Sequence, residues 1–279
     1  VTVIEMATIL PKDDPDLVAV VRDMIESSGI SLYEKIKTKR VETHDDQIRV
    51  IIEHNGADIT IEGSHLLIAT GRKPTVDDLG LDAAGVTYSA RGINVDKRLR
   101  TSNSKIFAIG DVTGGLQFTH MAGYDAGIVI RNALFRLPAK IDYKAVPWVT
   151  YTNPELAQVG LSETAAREKF GDAIRVVTWQ YAENDRARAE ARTKGFIKIV
   201  TTTRGKILGA GIVGPQAGEL IGLWSLAISQ KMKIGATAGM IAPYPTLGEL
   251  SKRVAGAWYT PSLFSEKTRK IVRFLLKFG

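Results

Sequence analysis

Residues 65–74 read His65-Leu66-Leu67-Ile68-Ala69-Thr70-Gly71-Arg72-Lys73-Pro74. A short apolar run closed by turn residues is the pattern of a buried strand, and glycine at its end lets the backbone bend or be approached closely. The stretch therefore predicts a buried strand running into a turn at Gly71. A second strand is predicted at Lys105-Ile106-Phe107-Ala108-Ile109, which ends in Gly110-Asp111. Glycine at a strand's carboxyl end admits a cofactor to the backbone, and the aspartate can accept hydrogen bonds from sugar-like hydroxyls. Alone, such a Gly-Asp marks a turn more often than a ligand site.

Upstream, Thr2-Val3-Ile4-Glu5 is a β-branched strand ending in an acid, and Asp16 to Ser28 has helical periodicity with Leu17, Val20, Val21, Met24 and Ile25 on one face. Gly29 ends that helix and Ile30 to Leu32 begins another strand. Residues 39–53 and 58–62 alternate as antiparallel strands, joined at the hairpin signal Asn55-Gly56. Downstream, a helix is predicted from about Thr119 to Phe135.

The 279 residues, 44% hydrophobic and 24% charged, suffice for two or three packed domains. There is no cysteine, which excludes a disulfide framework, a cysteine zinc site and a redox-active cysteine pair from this chain. The formal charge of +7 is concentrated at the end, where residues 251–279 hold seven Lys or Arg and one acid, Glu266. No nucleic-acid motif accompanies these bases, so nucleic acid is not expected as a partner. The best membrane-span candidate, Ile207 to Gln230, carries one charge, Glu219, but its glycines, Pro215 and Gln216 predict a strand (207–213), a turn and a helix (217–230) instead. Within it Gly209-Ala210-Gly211-Ile212-Val213-Gly214 spells Gly-x-Gly-x-x-Gly, yet no acid follows about 20 residues on to take a ribose hydroxyl, so tight packing is the preferred reading.

The residues Ala69-Thr70-Gly71-Arg72-Lys73-Pro74, Gly110-Asp111, the run from Val146 to Gly160 and Met240-Ile-Ala-Pro-Tyr-Pro-Thr-Leu-Gly-Glu249 together resemble the class I pyridine nucleotide-disulfide oxidoreductases of the dihydrolipoamide dehydrogenase and mercuric reductase type. The resemblance covers almost the whole chain in the right order. It implies partial Rossmann-like α/β NAD and FAD domains followed by an α+β dimerisation domain. Residues 1–62 would be the rear half of the NAD domain, 63–142 the second FAD segment and 143–279 the dimerisation domain. Because the family's glycine fingerprints and cysteine pair precede the strand matching Thr2–Glu5, the resemblance also implies a C-terminal portion of a longer enzyme, itself largely without bound flavin and inactive.

Function follows from the same resemblance. The full-length enzyme would pass electrons from NAD(P)H through FAD to a small-molecule acceptor, a disulfide or metal ion, as a cytoplasmic homodimer. Gly71, Gly110 and Asp111 would cradle FAD, Asp111 on the ribityl chain. Thr119 and Ala122 would lie where the helix N-terminus meets the flavin pyrimidine edge, its dipole stabilising negative charge there. His120 could neighbour the ligand or cap the helix. Glu5 would pair with an adenine ribose hydroxyl and repel a 2′-phosphate, favouring NADH, or else cap the following loop.

Tyr244 occupies the place of the family's proton-shuttling histidine, with Glu249 as its carboxylate partner. A phenol with a pKa of about 10 is a poor shuttle beside an imidazole of about 6.5. Mercuric reductases and soluble transhydrogenases resemble the chain in this exchange, which keeps transhydrogenase as a second reading. The loop would cross a dimer interface, or Tyr244 would only pack it while Glu249 opens a helix. Residues 263–279 predict a basic amphipathic helix; packing on its own dimer is the commoner fate, weak contact with an anionic membrane surface the alternative.

Overall fold

The β-branched residues Thr2, Val3 and Ile4 favour extended chain, and they open the computed structural model, which describes residues 1–278, as β1 (Thr2–Glu5). Helix α1 (Pro15–Ser27) begins where Asp14 accepts from the Asp16 backbone N–H at 3.1 Å and Pro15 takes the first helical position, whose N–H would be unpaired in any case. Strand β2 (Ser31–Glu34) returns parallel to β1. Then β3 (Lys37–His44), β4 (Gln47–His54) and β5 (Ala57–Gly63) form an antiparallel meander. The β4–β5 turn places Asn55 and Gly56 at φ 52° and 79°, the left-handed backbone that a two-residue hairpin demands.

The chain divides into two compact units, one built from Val1–His65 together with Lys144 onward, the other from Leu66–Tyr143. The second unit holds the short pair β6 (Tyr88–Ser89) and β7 (Gly92–Ile93), a 3₁₀ turn at Gly110–Thr113 and helix α2 (Thr119–Ala133) around Val76, Val86, Ile93 and Ala108. The two strands predicted here do not form. Residues 65–76 have no regular secondary structure, and Leu66, Leu67 and Ile68 are exposed, Leu67 to 88%. Residues 105–109 make only an isolated bridge, Phe107 to Arg100, with Ala108 N–H donating to Leu99. An apolar run becomes a strand only when a neighbouring strand takes its N–H and C=O groups, and sequence periodicity carries no information about that neighbour.

In the first unit β8 (Pro147–Thr150), β9 (Glu155–Gly160), β10 (Ile174–Gln180), β11 (Phe196–Thr202) and β12 (Ile207–Gly214) form one antiparallel sheet in the order β10-β11-β12-β9-β8. Helices α3 (Glu163–Phe170), α4 (Asp185–Ala189), α5 (Ala217–Ser229), α6 (Ile234–Ala238), α7 (Glu249–Ala257), α8 (Thr260–Leu263) and α9 (Glu266–Leu275) complete it. Side chains alternate between the faces of a strand. Ala157, Ile197, Ile199, Ala210 and Ile212 therefore pack with α5 and α7, whereas Leu156 and Val213 pack with Leu17, Val18 and Val21 of α1.

Both faces being covered, β12 is buried throughout, and its glycines serve packing. A Cβ at Gly209 would fall 1.9 Å from the Leu161 carbonyl oxygen, one at Gly211 would fall 2.4 Å from Leu17 Cδ1, and one at Gly214 would strike the Tyr181 ring. The strand-turn-helix reading of 207–230 matches β12 and α5, and among the described residues no helix is long and apolar enough to cross a membrane.

At the centre of the α1 face stands a charge. Lys198, on β11, places Nζ 2.9 Å from Asp14 Oδ1, 2.5 Å from Asp16 Oδ2 and 3.0 Å from Glu163 Oε2, with only 5% of its side chain exposed. Burial opposes its charge, but bonds to Asp16, Asp14 and Glu163 outweigh that and hold its pKa above the ordinary 10.5. Burial likewise opposes the Glu163 carboxylate, yet Arg167 and Lys198 hold its pKa below 4.5. Gln158 Oε1 accepts from the Asp14 N–H at 2.5 Å and completes the cluster.

Lys198→Met leaves Asp14 buried without its counter-charge and is expected to cost about 3–5 kcal/mol in guanidinium denaturation. The lowered Glu163 pKa contributes stability present above 4.5 and lost as pH falls through the folded value. The raised Lys198 pKa contributes stability present below 10.5 and lost as pH rises through the folded value. The difference between wild type and K198M should therefore be greatest between those limits and shrink in acid. Gly209→Ala, which drives a methyl into a carbonyl oxygen, should destabilise by at least about 1–3 kcal/mol; an unchanged denaturation midpoint would refute the packing role.

Candidate functional site

Three segments of the second unit meet around Arg72. Its Nη2 donates to the Gln117 carbonyl at 2.6 Å and its Nη1 lies 3.8 Å from Asp111 Oδ2. The Ala-Thr-Gly-Arg stretch is thus tied both to the aspartate and to the loop two residues ahead of α2. Gly71 stands at φ 117° with open space where a side chain would project. Gly110 adopts φ 67° to enter the 3₁₀ turn, and a Cβ there would meet Ala122 Cβ at 2.9 Å. The turn therefore lies directly on the first turn of α2, a contact only glycine permits.

Two groups the sequence reading passed over hold this contact. Asp125, buried to 2% exposure, accepts from Gly110 N–H at 3.2 Å through Oδ2 and from the Tyr143 hydroxyl at 2.7 Å through Oδ1. Burial first, then the bond to Asp125, raises the Tyr143 pKa well above 10, so the hydroxyl stays a donor. The signal was present: Asp125 falls between Met121 and Ile128 at helical spacing, an acid on an otherwise apolar face.

The α2 N-terminus has no side-chain cap and no acid in its first turn, which leaves backbone N–H groups and the positive dipole end for an anion or polar ligand. Thr119 is exposed there, Ala122 is half-buried, and His120 stacks on Phe118 with ring centroids 5.1 Å apart. Asp111 faces solvent on the other side of the same turn. An outward carboxylate, an uncapped helix start and a glycine-only contact between them are compatible with a bound flavin nucleotide.

The remaining candidates belong to the other unit. Glu5 Oε1 accepts from Ala7 N–H at 2.8 Å, so the carboxylate caps the loop after β1. The Tyr244 hydroxyl donates to Asp185 Oδ2 at 3.0 Å, and that bond and charge push its pKa above 10.0. Glu249 opens α7 and lies 3.8 Å from Arg253. Tyr244 is 68% exposed and the loop is fastened from below, where Asn184 Nδ2 donates to the Thr246 carbonyl at 3.0 Å. The partner that the geometry gives Tyr244 is Asp185, a residue the spacing to Glu249 did not suggest.

Known proteins share this architecture. The family description "Pyridine nucleotide-disulphide oxidoreductase" matches residues 1–126, and that of its dimerisation domain matches residues 146–255. The dihydrolipoyl dehydrogenase of Staphylococcus aureus is 37% identical over 258 residues, 91% of this chain and 55% of the relative. The mercuric reductase of Bacillus cereus is 38% identical over 252 residues, 89% and 40% respectively. Among solved structures, the Cu(II) complex of the HOCl-induced flavoprotein disulfide reductase RclA from Escherichia coli superposes with a TM-score of 0.84 at 30% identity, covering 92% of this chain and 58% of that one. LpdA from Mycobacterium tuberculosis gives 0.85 at 27% identity, covering 92% and 56%.

The chain spans about half the length of the curated relatives it matches. One expectation is corrected by these matches. They take in the FAD/NAD-binding region from residue 1 as well as the dimerisation domain, so the reading of the chain as a C-terminal portion is withdrawn. By both descriptions, by its relatives and by its fold, the chain belongs to the pyridine nucleotide-disulphide oxidoreductase family.

Proposed function

We propose that the chain serves an FAD-dependent oxidoreductase that passes electrons from NAD(P)H through flavin to a disulfide or metal-ion acceptor. The observation that carries this reading is the Arg72 junction, which gathers Gly71, Asp111 and the uncapped start of α2 around one exposed turn. Residues 1–62 would belong to the NAD-binding domain, 63–142 to the FAD-binding domain and 143–279 to the dimerisation domain.

FAD, when bound, supplies the hydride and electron chemistry. Asp111 would hold sugar-chain hydroxyls, Gly71 and Gly110 would let the nucleotide approach the backbone, and the positive dipole end of α2, with Thr119 at its start and Ala122 in its first turn, would favour negative charge placed against the helix. Glu5 keeps one oxygen beyond its bond to Ala7 for a ribose hydroxyl, and its charge disfavours a 2′-phosphate, so NADH is the expected donor.

Tyr244 and Glu249 would act on the acceptor side in a homodimer. Large apolar side chains left in solvent on the dimerisation domain, Ile241 at 96% and Tyr151 at 82%, support that assembly. The Tyr244 hydroxyl, kept protonated by Asp185, would orient or donate a hydrogen bond, not shuttle protons near neutrality.

A soluble transhydrogenase is the second reading. It is favoured by the same protonated Tyr244, because hydride exchange between nicotinamide pools needs no thiol. Exposed Leu66, Leu67 and Ile68 support a further possibility, that the chain by itself is an inactive dimerisation module without flavin; the visible absorption of the purified chain, with or without flavin bands, decides it.

Asp111→Ala should weaken FAD binding about tenfold or more in a fluorescence titration, the loss expected for a charged hydrogen bond; equal affinity would remove Asp111 from the site. Tyr244→Phe in the flavin-loaded enzyme should lower kcat with NADH and the acceptor. Unchanged kinetics would confine Tyr244 to packing, a strong preference for NADPH would overturn the role of Glu5, and NADP⁺ as the fastest acceptor would select the transhydrogenase.

A further inference from the structure

The last helix, α9, carries an apolar side that none of the described residues covers. Ser265 caps α9 by accepting from the Thr268 N–H at 3.3 Å, and Thr268 Oγ1 donates back to the Ser262 carbonyl at 2.7 Å. These local bonds fix the corner between α8 and α9. No residue of α9 is buried. At 3.6 residues per turn, Arg269, Lys270, Arg273 and Lys277 share one side with Glu266, whereas Ile271, Val272, Phe274, Leu275, Leu276 and Phe278 occupy the other. Those six side chains are 48–75% exposed. Phe274 and Phe278 meet edge to face at 5.0 Å and continue the apolar stripe past the helix end. Leu263 and Phe264, also exposed, extend it before the helix start. Lys267 alone carries charge onto the apolar side, where its long stem can reach back to water.

We propose that residues 263–278, with α9 at their centre, form an interfacial segment that seats this protein on an anionic lipid surface. Gly279 lies outside the described residues. Ten helical residues span about 15 Å, half the hydrocarbon thickness of about 30 Å, so the helix lies in the plane of the interface and does not cross it. The choice of occupant follows from charge. Five bases stand against one acid in 263–278, complementary to anionic headgroups. A second copy of the same helix would cover the apolar side but leave the five bases without a counter-charge.

The test is vesicle flotation of the full chain, comparing phosphatidylcholine with the same lipid carrying about 30% phosphatidylserine, at about 0.1 M and about 0.5 M salt. Partitioning should be at least tenfold greater on the anionic vesicles and should fall sharply in the higher salt, where charges are screened. The double variant F274E/L275E, at exposed positions on the apolar side, should lose it while keeping the wild-type circular dichroism and sedimentation mass. R269E/R273E should lose it with the apolar face intact. Absent or equal partitioning on the two vesicles at low salt overturns the proposal. So does F274E/L275E lowering the sedimentation mass with vesicle binding unchanged, since a second copy of the chain would then own the apolar face.

Discussion

The ammonium of Lys198 is the fixed point of the larger unit. It sits inside an antiparallel sheet on a face closed largely by apolar side chains, and its charge is tolerated because three carboxylates from two other segments converge on it. Removing a lysine from water costs several kcal/mol, so the geometry that recovers this cost is restrictive. Asp14 and Asp16 must be at the start of α1, and Glu163 at the start of α3, both with the sheet beneath them. Residues separated by 184 positions are thereby held in register. Asp14 carries two duties, capping α1 and neutralising Lys198, and one residue thus couples local helix initiation to tertiary assembly.

Glycine does the corresponding work where no charge is available. The α1 face of β12 can accept Leu17 only because Gly211 has no side chain, and Gly209 lets the Leu161 backbone cross at close range. In the smaller unit Gly110 allows the 3₁₀ turn to rest on α2, and the buried Asp125 and Tyr143 pin that contact. The elements of the candidate site are therefore positioned by one glycine, one buried acid and one arginine, and Asp111 and Thr119 are left exposed.

Much of this was legible in the chain. The helical stripe of residues 16–28, the Asn55-Gly56 hairpin and the strand-turn-helix at 207–230 follow from periodicity and turn chemistry, which act over a few residues. The glycine fingerprint at 209–214 was rightly set aside for lack of a ribose-binding acid. The motifs around Gly71 and Gly110 identified the family, and the structure brings them together through Arg72. Other features escaped for a physical reason. The apolar runs at 65–69 and 105–109 had every local mark of strands, but a strand is completed by a neighbour, and among the described residues these runs find no more than the isolated Phe107–Arg100 bridge. Asp125 and Lys198 were single polar residues in apolar runs, and only folding shows what they bind.

By itself, then, the sequence determined where helices and hairpins begin, which family the motifs belong to, and that thiol chemistry has no cysteine here, because each rests on near neighbours or on composition. Tertiary structure alone decided that Tyr244 bonds Asp185, that Asp125 anchors the Gly110 turn, that Lys198 gathers Asp14, Asp16 and Glu163, and that the apolar face of α9 stays uncovered. Those outcomes depend on groups far apart in the chain meeting at distances of about 3 Å, where burial makes a charge or a hydrogen bond decisive.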